Sequence, residues 1–237
     1  MKKDVERNTL DRVAKNSLYT SMSNTMMIEY CSMIFDRFLV EGSILEMGPA
    51  EGVMTQYLAL KTSDLVLLEG SKVFAKQLAE KYPTALISTE LFEEYSPRKK
   101  FDNIVLGHVL EHVENPVLIL EQCKEWLAEN GRILAAVPNS RSLHRQAAVV
   151  MGLLHSEDAM SELDHHHGHR RIYNPETFRQ DFLKAKLRIN HFGGYWLKPL
   201  SNSQIHTHWS PQLLHSFMVL GERYPDIAAE IYVIATR

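Results

Sequence analysis

Apolar positions along this chain follow two periods that alternate in order. Residues 43–47 form a short apolar run of strand type, and the pairs Val53/Met54 and Tyr57/Leu58 then recur at helical spacing. The same alternation continues with strands over 65–69 and 85–88 around a helix over 72–81. A strand beginning at Phe101 is followed by a helix that Asn115-Pro116 opens and that runs to Trp126 and Leu127. Asn130-Gly131 reads as a turn, 132–137 as a strand, 175–186 as a helix, 187–192 as a strand broken by Gly193-Gly194, and 230–235 as the last strand. Ahead of them, Met27, Cys31, Ile34, Phe35, Phe38 and Leu39 trace one face of a helix from Met26 to near Gly42. Strands alternating with helices predict an α/β domain with a doubly wound, mostly parallel sheet.

The junction at 44–52, Ile-Leu-Glu-Met-Gly-Pro-Ala-Glu-Gly, is where strand becomes helix through small residues. Gly48 and Gly52, flanking Pro49, let the backbone turn tightly and a ligand approach it, at the strand ends where open α/β sheets bind ligands. A pyrophosphate-gripping G-x-G-x-x-G is absent, and Glu46 stands two residues before Gly48, where its charge repels a diphosphate and attracts an ammonium or sulfonium. Both features argue against an NAD-dependent oxidoreductase. Glu69 ends the next strand about twenty residues on, placed to accept both hydroxyls of a ribose, and Gly70-Ser71 follow it.

These residues resemble motif I of the class I S-adenosylmethionine (SAM) methyltransferases, an acid two residues before a G-x-G-x-G run, with Ala50 in place of the middle glycine. Residues 101–113, Phe-Asp-Asn-Ile-Val-Leu-Gly-His-Val-Leu-Glu-His-Val, resemble the F-D-x-(I/V)-x-x-x-x-(V/L)-(L/I)-E-H-(V/L) stretch of small-molecule methyltransferases, among them the ubiquinone-biosynthesis O-methyltransferase type. Residues 168–178 resemble the G-H-x-R element that precedes a later helix in the same group. The resemblance implies a Rossmann-like sheet of seven strands with an antiparallel last strand. It implies SAM as cofactor, and Gly107 and His108 beside its methionine half. Glu90, Leu91 and Phe92 lie where this fold holds the adenine, which an apolar side chain can stack on. Segments before motif I often cover the cofactor in this class, and Tyr19 is the candidate for that cover.

His108, Glu111 and His112 stand at i, i+3 and i+4, one face of a helix if a helix begins that early. Some ubiquinone-type enzymes carry E-x-x-E-H here and bind a divalent metal. His108 replaces the first glutamate, a hard oxygen ligand, so no metal is expected. The tract Asp164-His165-His166-His167-Gly168-His169 reads as a solvated loop, except that the resemblance carries His169 near the substrate cavity. His169 is the leading general-base candidate, ahead of His112 and His108, because a neutral imidazole accepts a proton at physiological pH. Asn174 and Pro175 fix the start of the helix behind it. The insertion at 139–167 carries an apolar run at 147–154, expected as a lid or a dimer contact, and Arg145, Arg170 and Arg171 would suit an acidic group on the acceptor.

Composition narrows the field further. With Lys+Arg 26 against Asp+Glu 29, the net charge of -3 offers no basic field for nucleic acid. Cys31 and Cys123 sit in separate apolar patterns and are expected as buried free thiols. No secretion signal or bilayer-spanning run is visible, so the expectation is a cytoplasmic protein off the membrane. The chain reads as one methyltransferase domain over 1–237: an N-terminal helical cover (1–42), a SAM-binding core (43–138), a lid insertion (139–173) and the second half of the sheet (174–237). Its expected activity is methyl transfer to an oxygen or nitrogen of a small-molecule acceptor. A module that keeps SAM without turning it over is the alternative.

Overall fold

The computed structural model describes Arg7, Leu10, Asp11, Ala14 and residues 21–237. Tyr19, the expected cover, lies outside the described residues. The strands are β1 (Ile44–Met47), β2 (Leu65–Leu68), β3 (Leu86–Ser88), β4 (Phe101–Gly107), β5 (Leu127–Pro138), β6 (Arg188–Tyr195) and β7 (Glu230–Thr236). They form one seven-stranded sheet in the order β3-β2-β1-β4-β5-β7-β6. β1 through β5 pair in parallel, while β7 runs antiparallel to both β5 and β6. This is a Rossmann-like sheet with an antiparallel last strand, as the resemblance implies, with the order reversing beside β1. β7 lies inside the sheet and β6 takes the edge, because β7 supplies ladders on both its sides.

Helices cover both faces: α1 (Met22–Asp36), α2 (Thr55–Leu58), α3 (Lys72–Lys81), α4 (Pro116–Trp126), α5 (Leu143–Val150), α6 (Glu162–His167), α7 (Pro175–Lys184), α8 (Asn202–His208) and α9 (Pro211–Gly221). Every residue of β1 and β2 is buried, as double coverage demands. Side chains alternate between two apolar layers: Leu45 and Met47 join Ile119, Cys123, Phe178 and Phe182 on one face, while Ile44, Leu65 and Leu67 join Tyr30, Phe35 and Met218 on the other. Helix starts follow local chemistry. Asn115 accepts from Leu118 N–H at 3.2 Å to cap α4, and Asn174 with Thr177 forms a capping box at α7.

Several expected boundaries move. α1 ends at Asp36, with Arg37 N–H bonding Ile34 O, several residues short of Gly42. The helix after motif I shrinks to one turn, since residues 51–54 are turn. His108 has φ +61 and residues 108–115 form turns, so the expected helical face over 108–112 is absent. The turn expected at Asn130-Gly131 is absorbed into β5 through a register shift against β4 between Phe101 and Asn103. Gly193-Gly194 do not break β6: they pair with Tyr232 and Ile231, and glycine is required because a Cβ at 193 would enter the Tyr232 ring. α8 went unread. Cys31 and Cys123 are free and buried, as expected. Val150, Met151 and Leu153, in the insertion's apolar run, face outward at 88%, 71% and 70% exposure.

Gly221, the last residue of α9, packs against the chain leaving β6, where Trp196 N–H bonds Met218 O. A Cβ there would overlap backbone atoms of Trp196 and Leu197, which cannot rotate away. Gly221→Ala is therefore expected to destabilise by about 1–3 kcal/mol, lowering Tm by several degrees in a thermal melt. An unchanged Tm would mean that α9 does not press on the sheet as described.

Candidate active site

The carboxyl ends of β1, β2 and β4 open into one cavity of about 390 Å³, which extends under the segment 161–170. Motif I forms one wall. Gly48, Ala50 and Gly52 have φ of +64, +49 and +76, so the turn requires left-handed backbone at all three positions. Ala50 adopts the conformation glycine would take, at a steric cost its methyl group keeps small. Its N–H donates to Glu69 Oε2 at 3.1 Å, and Ser71 N–H donates to Glu69 Oε1 at 2.8 Å. Glu69 thereby ties the motif I turn to the end of β2. A Cβ at Gly48 would come within 3.2 Å of Val109 and 3.5 Å of Phe92, so the bare backbone shapes this wall.

Glu46 is 3% exposed and accepts from Thr55 Oγ1 at 2.7 Å. Burial pushes its pKa up to about 8, against the lowering effect of Thr55. Burial likewise lifts Glu69 to about 7, although the Ser71 and Ala50 N–H groups oppose it. Pro49, Gly70, Ser71, Glu90, Leu91 and Phe92 line the same cavity, as do Gly107 and His108. Leu91 is buried, whereas Glu90 is exposed and pairs with Ser88 Oγ at 3.0 Å. Sequence reasoning missed Leu10, which lines the cavity, and Asp11, which accepts from Ser71 Oγ at 2.7 Å. No periodic signal in the polar N-terminus marked either one.

At the other end three histidines meet three carboxylates. His108 Nε2 lies 3.1 Å from Tyr195 OH, while its Nδ1 lies 3.6 Å from Glu111 Oε1 and 3.7 Å from Glu230 Oε2. Burial disfavours charge on His108, but Cys31, Glu111 and Glu230 outweigh it and raise the pKa well above the ordinary value. Burial lowers His112 to about 4, so its ring stays neutral. His112 packs edge-on against His169 with ring centroids 4.8 Å apart. His169 Nδ1 faces Asp164 Oδ1 at 3.2 Å, leaving Nε2 as its other ring nitrogen. Among the described residues, Glu111, His112 and His169 are the group whose ligand atoms converge, within 4.8 Å of one another.

The arginines stand differently from the expectation. Arg145 donates to the carbonyls of Glu157 and Ala159 and pairs with Asp164, holding the insertion together. Arg171 donates to the carbonyls of Leu110, Val113 and Glu114, and Arg170 to that of His112. Arg170 and Arg171 thus brace the turn after β4, while Arg145 and Arg170 also line the cavity. Lys198 and Glu230, both buried, line the cavity as well, and no sequence motif marks either one.

A family profile described as a methyltransferase domain matches residues 23–191. The chain belongs to that methyltransferase family. It is 32% identical over 114 residues to a ubiquinone biosynthesis O-methyltransferase of Pasteurella multocida, a match covering 48% of this chain and 46% of that enzyme. The chain thus aligns with just under half the length of that relative. The CcbJ methyltransferase of Streptomyces caelestis superposes with a TM-score of 0.66 at 11% identity, covering 98% of both chains. The N-methyltransferase NodS of Bradyrhizobium japonicum, in complex with S-adenosylhomocysteine, gives 0.59 at 13% identity, over 97% of this chain and 96% of its own. The sheet thus matches these methyltransferases in fold, as the family profile does in sequence. No helix among the described residues is long and apolar enough to cross a membrane.

Glu46 generates a test of the methyltransferase by pH. An unfolded glutamate loses its proton near 4.5 and Glu46 in the fold near 8, so between these values the folded chain binds more protons. Stability from this site therefore falls as pH rises through that window, at up to about 1.4 kcal/mol per pH unit. Glu46→Gln still accepts from Thr55 and cannot ionise. In melts of cofactor-free protein, its Tm relative to wild type is expected to climb between about pH 6 and about pH 8. A difference that stays flat with pH would sink this account of Glu46.

Proposed function

We propose that the methyltransferase moves the methyl group of SAM onto an oxygen or nitrogen of a small-molecule acceptor, and that His169 takes the acceptor's proton. The observation that carries this reading is the continuity of one cavity from the motif I turn to the Asp164–His169 pair. When bound, SAM supplies a methyl group made electrophilic by its sulfonium charge. Glu69 accepts the ribose hydroxyls while its own N–H partners hold it in place. Glu46 stabilises the positive end of the cofactor, whose charge offsets the cost of burying this carboxylate. Gly48, Pro49, Gly52, Gly70, Ser71 and Gly107 let the main chain close around it, and Leu91 and Phe92 flank the base, with Glu90 at the rim.

Alignment of acceptor and methyl group supplies most of the acceleration. Asp164 orients the His169 ring and stabilises the imidazolium formed when Nε2 takes the proton. His112, neutral and stacked edge-on, completes that wall. His108 is the poorest candidate, because its raised pKa keeps it protonated and its Nε2 already meets Tyr195. The buried Lys198 is the cation we assign to an acidic group on the acceptor, in place of the arginines.

Label transfer from methyl-labelled SAM into a deproteinised metabolite extract tests the catalytic reading. With the acceptor so found, His169→Gln is expected to lower kcat about 10²–10⁴-fold while S-adenosylhomocysteine binds as before. Glu69→Ala should do the reverse, weakening S-adenosylhomocysteine roughly 10-fold to 100-fold by calorimetry. No labelled product from any extract would favour a SAM-binding module that does not turn over, and full kcat in His169→Gln would remove His169 as the base.

A further inference from the structure

Lys198 is a buried cation for which the fold itself supplies no close anion. The residue is 9% exposed and lines the cavity. Its ammonium sits over the Trp196 ring at 4.7 Å and, among the described residues, meets no carboxylate at ion-pair distance. Burial lowers its pKa to about 8, with Glu230 opposing, so the side chain is still charged at neutral pH. An aromatic face offsets only part of the cost of burying an ammonium.

Two more polar side chains are stranded beside it. His144, on α5, donates its backbone N–H to Lys198 O at 3.0 Å, while its ring Nδ1 is buried without a partner. Burial, with Lys198 and Arg145 nearby, keeps this ring neutral, so it can carry a donating N–H. Asn202 opens α8, and its Oδ1 is also buried and unpaired; the amide can turn either end to a ligand. Both residues line the same cavity as Lys198. Buried polar atoms are rarely left so, and an anion among the three would take a hydrogen bond from each.

The surroundings select the kind of anion. A guanidinium fork grips phosphate, but Arg145 is already tied to the carbonyls of Glu157 and Ala159 and to Asp164. Glu230 is near enough to bias Lys198 and would repel a second negative charge. One ammonium with two neutral donors therefore matches a singly charged carboxylate better than a phosphate dianion. Asp164, the partner of His169, also biases Lys198, so the anion and the reacting group belong to one compact molecule.

We propose that the acceptor is a compact hydroxy- or amino-carboxylic acid, its carboxylate held by Lys198, His144 and Asn202 and its hydroxyl or amine facing His169. The inference deepens the methyl transfer proposed above and rests on it. A bond forms from the acceptor's oxygen or nitrogen to the methyl carbon as the methyl–sulfur bond breaks. The electron pair of that bond stays on sulfur, and His169 Nε2 takes the proton. The carboxylate is a handle and not the nucleophile, so the product keeps its negative charge.

The test has a binding arm and a product arm. In the first, the full chain loaded with S-adenosylhomocysteine is titrated by calorimetry with benzoate, benzamide and phenyl phosphate. Benzoate is expected to bind at least about 10-fold more tightly than either of the others. Lys198→Met should abolish that preference while S-adenosylhomocysteine binds as before, with Asn202→Ala as the second variant should Lys198→Met not fold. In the second arm, product labelled from methyl-labelled SAM in metabolite extract is expected on an anion exchanger, unchanged by phosphatase and stable to mild alkali. Lys198→Met should raise the acceptor's KM at least about 10-fold with a smaller change in kcat. Absent benzoate binding, benzamide or phenyl phosphate binding as tightly as benzoate, or a preference that survives in Lys198→Met would each overturn the proposal. So would a labelled product that is neutral, loses its charge to phosphatase, or releases its methyl group in alkali as an ester does. No labelled product at all would instead fail the transfer reading, and the binding arm would still decide the carboxylate site.

Discussion

Burial of carboxylates at the ends of parallel strands is the constraint on which the rest of this structure depends. Glu46 and Glu69 end up beneath the motif I turn because β1 and β2 are covered on both faces and their carboxyl ends meet the cavity. Burial favours the neutral acid at both positions. What keeps Glu69 in place is the pair of backbone N–H donors from Ala50 and Ser71, and these in turn fix the turn and the start of α3. A site for a sulfonium and a ribose, as we propose this one to be, cannot be made of apolar side chains. The acids that suit it weaken the fold around it, an opposition of stability and activity common at binding sites.

That opposition explains which parts were legible in the sequence. Strand-turn-helix order, Glu46, the two glycines and Glu69 are local patterns set by backbone geometry, so they survive in one dimension. Ala50 is informative here: the family usually has glycine, and the φ of +49 confirms that the position still demands a left-handed residue. The strand over 187–192 was cut short because Gly193-Gly194 normally signals a break. In three dimensions the glycines continue the ladder, and Gly193 makes room for Tyr232, a residue thirty-nine positions away. Similarly, the i, i+3, i+4 spacing of His108, Glu111 and His112 suggested a helix. The left-handed His108 stops one from forming, and the three still reach one cavity through a turn.

Long-range partners were the least legible of all. Nothing in the spacing of Arg145, Arg170 and Arg171 tells whether a guanidinium meets a ligand or a backbone carbonyl. The carbonyls of residues 110, 112, 113 and 114 claim two of them because turns leave carbonyls unpaired by any ladder. Leu10 and Asp11 escaped notice for the related reason that a polar segment acquires meaning only from what it lies against. Lys198 and Glu230 belong to different elements and approach the cavity only once β7 is inserted between β5 and β6.

The arginine braces have a further consequence for chemistry. Arg170 and Arg171 fasten the segment carrying His169 to the turn carrying Glu111 and His112, and the Arg170 N–H bonds Glu111 O at 2.9 Å. Arg145 fastens the same segment to the insertion through Asp164, which is also the partner of His169 and the capping-box residue of α6. One carboxylate thus sets the helix start, the guanidinium and the His169 imidazole together. The orientation of His169 is therefore a property of the folded insertion as a whole. Chemistry that depends on that ring depends on the insertion being closed over the sheet.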